Sequence, residues 1–217
     1  MTTEFSFSHI EPLSRKESFN MIPKTIDPSG SVLLVIDMQN AFVLPSSPLC
    51  VRMAADSVPA LQKTIEEARS IGIRVIWICR KHAADGSDLE PFRRELLKEK
   101  NLLDIFSEGS DGIRIIEDFH PGNEQIVWKT RYSAFFGTGL ADQLKSEGIS
   151  TVLVSGTQTP NCVRATAVDA LSHDFRSIVL ADCTSSQSAE IQQANLSDMK
   201  AAGIETPDSL SQLLQTE

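Results

Sequence analysis

The sequence predicts an α/β protein, a three-layer α/β/α sandwich around a mostly parallel sheet, and three observations carry that prediction. Short apolar runs rich in β-branched residues recur along the chain, the pattern of strands buried on both faces. Stretches with apolar residues at helical spacing separate them, so strand and helix alternate. The 217 residues, 41% hydrophobic and 23% charged, suffice for one domain with a sizeable core. No linker divides them, so we expect an N-terminal extension over 1–29 and a single domain over 30–217.

The extension is polar, with Phe5, Phe7, Phe19 and Ile22 among charges and prolines, and reads as a segment draped over the domain or a partner subunit, or as a disordered tail. The first strand starts at Ser31 and its apolar run stops at Asp37, on the edge of a parallel sheet where ligands bind. A turn-capping role is the alternative for that aspartate. Phe42 follows in a loop closed by Pro45 and Pro48. Ala55, Val58, Leu61, Ile65 and Ala68 then mark a helix ending at Gly72, and Pro59 requires it to begin near Asp56 or Ser57.

Ile73 to Cys79 reads as the second strand, with Arg80, Lys81 and His82 just past its end. His82 is a candidate substrate contact or a solvated loop histidine. Ser87-Asp-Leu-Glu90 has the form of a capping box, opening a helix with Phe92, Leu96 and Leu97 inward. Gly109 and Gly112 mark a loop, and Ile113 to Ile116 a short edge strand. Glu124 to Lys129 reads as a third central strand, again with a charge where the run ends; a lysine there either reaches solvent or faces a carboxylate in a cleft. Tyr132, Phe135 and Phe136 follow, able to wall a pocket or simply to pack the loop. Thr138 caps a helix through Leu140 and Leu144 that stops at Gly148.

Thr151 to Val154 is the fourth strand, broken at Ser155-Gly156. Thr159 can cap the next helix with Pro160 at its first position, which puts Cys162 in the first turn. Unpaired N–H groups and partial positive charge there favour a thiolate and can hold an oxyanion, although a small buried hydrophobe is the common alternative for a lone cysteine. Ser177 to Ala181 is the fifth strand, with Asp182 in a following turn; two further helical stretches carry Ile191, Ala194 and Met199, then Leu210, Leu213 and Leu214.

The net charge of −9 argues against nucleic acid or an anionic membrane as partner. Cys50, Cys79, Cys162 and Cys183 form neither a close pair nor a metal-ligand spacing, so a reducing compartment, the cytoplasm, is expected. Neither GxGxxG nor a Walker sequence occurs, and we expect no cofactor and no metal.

Together, Asp37, Lys129 and Cys162 put a carboxylate, an amine and a thiol on one edge of three buried strands. If those strands are adjacent, they share one cleft. A carboxylate can take the thiol proton, the lysine can hold the anions, and the turn can receive an oxyanion, which is equipment for acyl transfer through a thioester. The chain here resembles the isochorismatase-like cysteine hydrolases, which include nicotinamidases, N-carbamoylsarcosine amidase and ureidoacrylate amidohydrolase. The resembling residues are Val35 to Phe42, Lys129-Thr-Arg-Tyr-Ser-Ala-Phe135 and Ser155 to Ala170, and the likeness runs from about Ser31 to the C-terminus.

The resemblance implies a Rossmann-like sandwich, Asp37 as base and later acid, Lys129 as the charge-holding member and Cys162 as nucleophile. It also implies a non-proline cis peptide at Thr157-Gln158, an oxyanion hole of the Gln158 and Cys162 backbone N–H groups, and a homo-oligomer, dimer or tetramer. Phe42, His82, Tyr132, Phe135, Phe136 and Arg164 are the candidate pocket residues, with a subunit contact as the alternative for Arg164. Ala41 stands where many members carry an acid, and one histidine, His82, stands where metal-dependent nicotinamidases carry a pair with an aspartate, so no metal is implied. Cys162 favours the amidase branch, acting on a small amide, carbamoyl or ureido C–N bond. The alternatives are a non-catalytic oligomeric binding module and a vinyl-ether hydrolase acting on isochorismate.

Overall fold

The computed structural model describes residues 25–214. The extension expected over 1–29 lies mostly outside the described residues; of its described end, Ile26 is buried and donates its N–H to the Leu213 carbonyl. Five strands, β1 (Ser31–Ile36), β2 (Arg74–Arg80), β3 (Gln125–Lys129), β4 (Thr151–Thr157) and β5 (Arg176–Ser185), form one sheet in the order β3-β2-β1-β4-β5. Every neighbouring pair is parallel. The helices are α1 (Asn40–Val43), α2 (Ala54–Ser70), α3 (Pro91–Glu99), α4 (Leu140–Ser146), α5 (Arg164–Ser172) and α6 (Ala189–Ala201).

The period of two along each strand divides the core. Leu33, Val35, Val75, Trp77, Leu153 and Ile178 face α2 through Leu61, Ile65 and Ala68. Val32, Leu34, Ile36, Ile76, Ile78 and Val154 face α4 and α5 through Leu140, Leu144, Ala167 and Ala170, and Cys162 belongs to this second face. The three-layer α/β/α sandwich is therefore the observed fold.

Several elements depart from the sequence reading. Helix α2 begins at Ala54, with Pro59 inside it. The tolerated position follows from exposure: both Pro59 and Ala55, whose carbonyl loses its partner, lie on the wet side, where water can take the bond. Helix α3 has no capping box; Glu90 occupies the cap position without a side-chain bond, and Pro91 fixes the first turn. Its Phe92 is 94% exposed and Leu96 is exposed, so of the expected inward residues only Leu97 is buried. Strand β3 is an edge, not a central strand, and Ile126 and Trp128 are exposed along it. The edge strand expected at Ile113 to Ile116 is reduced to a single bridge between Gln39 and Ile115. Strand β5 runs on through Asp182 to Ser185.

Candidate active site

Asp37 leaves β1 in the left-handed region, at φ 51°, a conformation uncommon for residues other than glycine but accessible to aspartate. It is held there because its N–H donates to the Ile78 carbonyl at 2.8 Å and its own carbonyl accepts from Gln39 at 2.8 Å. Lys129 is the last residue of β3. Both side chains are 1% exposed or less, and the Lys129 Nζ donates to Asp37 Oδ2 at 2.8 Å and to Cys162 Sγ at 3.4 Å. A third bond goes to the Arg131 carbonyl at 3.2 Å. Asp37 Oδ1 has no hydrogen-bond partner among the described residues. An amine, a carboxylate with one free oxygen and a thiol therefore meet at the carboxyl edge of the sheet. They meet although β2 lies between β1 and β3, because the long lysine reaches past the end of the intervening strand.

The turn that carries Cys162 is not the capped α-helix start read from the sequence. Thr159–Val163 winds as a wide π-helical turn before α5, and Gln158 occupies its cap position. Thr159 donates its hydroxyl to the Ser185 carbonyl at 3.0 Å, while Ser185 donates to the Thr157 hydroxyl at 3.0 Å. These bonds fasten the turn to β5. The Thr157–Gln158 peptide is cis.

The electrostatics differ from the expected stabilised thiolate. Burial, first, and then the Asp37 carboxylate push the Cys162 thiol up to about 11, against the opposing pull of Lys129 and Arg80. Its resting form at neutral pH is the neutral thiol.

The candidate pocket residues disperse. Phe42 packs on Phe106 at 5.1 Å and against the core on the α2 face, whereas Cys162 belongs to the other face. Phe135 is buried and stacks on Phe175 at 5.9 Å, which is core packing behind the site. Phe136 is exposed beside Arg131. Arg164 is bound by Asp198 and Asn195 and so ties α5 to α6. Tyr132 lines a groove of about 790 Å³, together with Leu49, Phe92, Arg93 and Leu96, in which none of Asp37, Lys129 and Cys162 takes part. Among the described residues, no group of three or more His, Cys, Asp or Glu is placed to hold a metal ion, and no helix is long and apolar enough to cross a membrane.

His82 is 3% exposed, edge-on to Phe106, with Asp88 at 3.4 Å. Burial, then the positive charge of Arg80, pull it down to about 4, from the 6.5 of a free imidazole. The unfolded chain thus binds a proton that the folded chain rejects between pH 6.5 and 4, so stability falls as pH falls through that window. His82→Leu is expected to flatten the decline in urea midpoint over this range. An equally steep decline in the variant would show that other groups cause it.

A cysteine held at the carboxyl edge of a parallel sheet, in contact with a lysine that also binds a carboxylate, defines the class of this protein as an α/β/α domain with a thiol, amine and carboxylate site at its strand ends. The comparisons make it particular: the chain belongs to the isochorismatase domain family, whose model matches residues 31–209. It is 37% identical over 184 residues to a probable inactive nicotinamidase of Arabidopsis thaliana, covering 82% of this chain and 92% of that protein. It is 30% identical over 172 residues to a maleamate amidohydrolase of Pseudomonas putida, covering 77% and 78%. The crystal structure of an isochorismatase family protein from Desulfovibrio vulgaris superposes with TM-score 0.77 at 39% identity, covering 85% and 96%. The family's relatives include hydrolases of amide C–N bonds.

Arg80, read from the sequence only as a charge past the second strand, is the last residue of β2, 1% exposed and opposite Lys129 in register. The signal was present, a charge where an apolar run stops, the same one that singled out Lys129.

Proposed function

We propose that this protein hydrolyses a small non-peptide amide, carbamoyl or ureido C–N bond through a thioester on Cys162. The observation that carries the reading is the single Lys129 ammonium bonded to both Asp37 and Cys162, which leaves Asp37 Oδ1 unoccupied to accept a proton. Asp37 takes the thiol proton as sulfur attacks the carbonyl carbon. The backbone N–H groups of Gln158 and Cys162 receive the oxyanion. The tetrahedral adduct collapses, the C–N bond breaks, and Asp37 gives its proton to the departing amine. Asp37 then deprotonates a water that attacks the thioester, and the carboxylic acid leaves as the thiol recovers a proton.

One observation favours a second reading, a non-catalytic binding member: the thiol is pushed up to about 11, and a thiol so buried is inert without a base. Iodoacetamide alkylation of Cys162, followed by peptide mass at pH 7 in the native protein and in Asp37→Asn, separates the two. Removing the Asp37 charge lets the thiol pKa fall, so an aspartate that is only a nearby charge predicts faster labelling in the variant. An aspartate that is the base predicts labelling slower by about a hundredfold. Faster or unchanged labelling would sink the proposed mechanism.

A further inference from the structure

We infer that Arg80 is the anchor for a carboxylate or other monoanionic group on the substrate, so that the site selects small anionic amides; this rests on Cys162 being the nucleophile.

Arg80 ends β2 directly opposite Lys129 in register. Trp77 and Cys79 belong to the α2 face while Ile76 and Ile78 belong to the face of Cys162, so strand alternation sends Arg80 to the side of Cys162. The position is fixed by a clamp from Gln39, two residues past Asp37. Its side-chain oxygen accepts the Arg80 N–H at 2.7 Å and its amide donates to the Arg80 carbonyl at 3.0 Å. Arg80 is 1% exposed, yet Nε, Nη1 and Nη2 all lack a hydrogen-bond partner among the described residues. The guanidinium lies 5.4 Å from the centroid of the Tyr132 ring, a cation–π contact that offers no counter-charge.

A guanidinium does not give up its proton, and a buried charge without a partner is strongly unfavourable. The charges around the thiol do not cancel. Arg80 and Lys129 are positive and Asp37 is negative, which leaves one positive charge. His82 is held neutral, and so is Cys162. Water could fill the donors but would leave that charge standing. A single monoanion satisfies both, and the planar fork of arginine matches a carboxylate with two parallel bonds. The anion would sit on the face of the sheet that carries Cys162, next to Lys129, which Arg80 opposes in register and which bonds the Cys162 sulfur.

Iodoacetate and iodoacetamide, which are nearly equal in size and differ in charge, test this without knowledge of the substrate. Rates at Cys162 are taken with both reagents in the native protein and in Arg80→Gln, each divided by the rate for 2-mercaptoethanol. The normalised preference for iodoacetate is expected to be about tenfold in the native protein and to vanish in the variant. No preference, or one that persists in Arg80→Gln, overturns the anchor while leaving the nucleophile intact. Failure of both reagents to label Cys162 instead defeats the nucleophile, and the anchor is then read from melting temperature. Sodium acetate, against sodium chloride at equal ionic strength, should raise Tm in the native protein only; equal shifts in both overturn the proposal. Without acetate, Arg80→Gln should melt higher than the native protein, because an unpaired charge has been removed. A lower Tm would show that the guanidinium already has its counter-charge.

Discussion

Asp37→Asn is expected to destabilise the protein by about 3–5 kcal/mol, the cost of leaving buried charge uncompensated, and by clearly more than Lys129→Met. Pairwise reasoning would make the two equal, since either substitution breaks the same 2.8 Å ion pair. The buried Arg80 makes them unequal. With asparagine at position 37, Lys129 and Arg80 remain as two buried cations with no anion. With methionine at position 129, Asp37 and Arg80 remain as one charge of each sign, and the loss reduces to bonds forfeited, about 1–3 kcal/mol. Asparagine tolerates the left-handed backbone of position 37 as aspartate does, so the comparison reports charge and not strain. Urea unfolding at pH 7 with unchanged slopes would measure both costs. Equal costs, or a larger one for Lys129→Met, would mean that the Arg80 charge is screened where it lies. The double variant leaves Arg80 alone of the three charges, so its cost should lie between those of the two single variants.

The edge of the sheet on which this chemistry sits was legible because the signal is one-dimensional. An apolar run ending in Asp37, Lys129 or a turn with Cys162 states which end of each strand the residue occupies, and parallel strands put all those ends together. The lateral order of the strands was not legible. Nothing in Glu124 to Lys129 says that β3 lies at an edge, two strands from β1, and the juxtaposition with Asp37 depends on the reach of a lysine side chain. Periodicity failed for a different reason at α3. Phe92 and Leu96 recur at helical spacing, but spacing reports that a face is apolar without saying what covers it, and here both are exposed. Nor does nearness in sequence to a site residue say which way a side chain turns. Phe135 and Arg164 lie within a few residues of Lys129 and Cys162, yet one turns into the core and the other out to Asp198, because direction is set by packing partners distant in sequence.

Gly156→Ala is the other substitution with a large expected effect. In register Gly156 pairs with Ile36, at the point where the β4–β5 ladder slips between Val154 and Gly156. Its φ is 95°, and a Cβ built there would lie 2.1 Å from the Ile36 carbonyl oxygen and 2.6 Å from the Ile36 nitrogen. Both atoms are backbone, so no side chain can swing aside; β1 itself must move, and the next residue on it is Asp37. We expect a loss of about 4 kcal/mol or more, at the level that marks a disrupted backbone rather than a lost contact. Gly148→Ala is the control. It shares a positive φ of 76° but meets nothing within 4 Å, so it carries only the conformational cost, about 1–2 kcal/mol. The difference between the two isolates the collision. Because the collision falls one residue from the proposed base, Gly156→Ala should also slow iodoacetamide labelling of Cys162 in whatever fraction remains folded, whereas Gly148→Ala should not. Equal stabilities and equal labelling in the two variants would show that β1 can shift without cost, and that the contact with Gly156 does not set the position of Asp37.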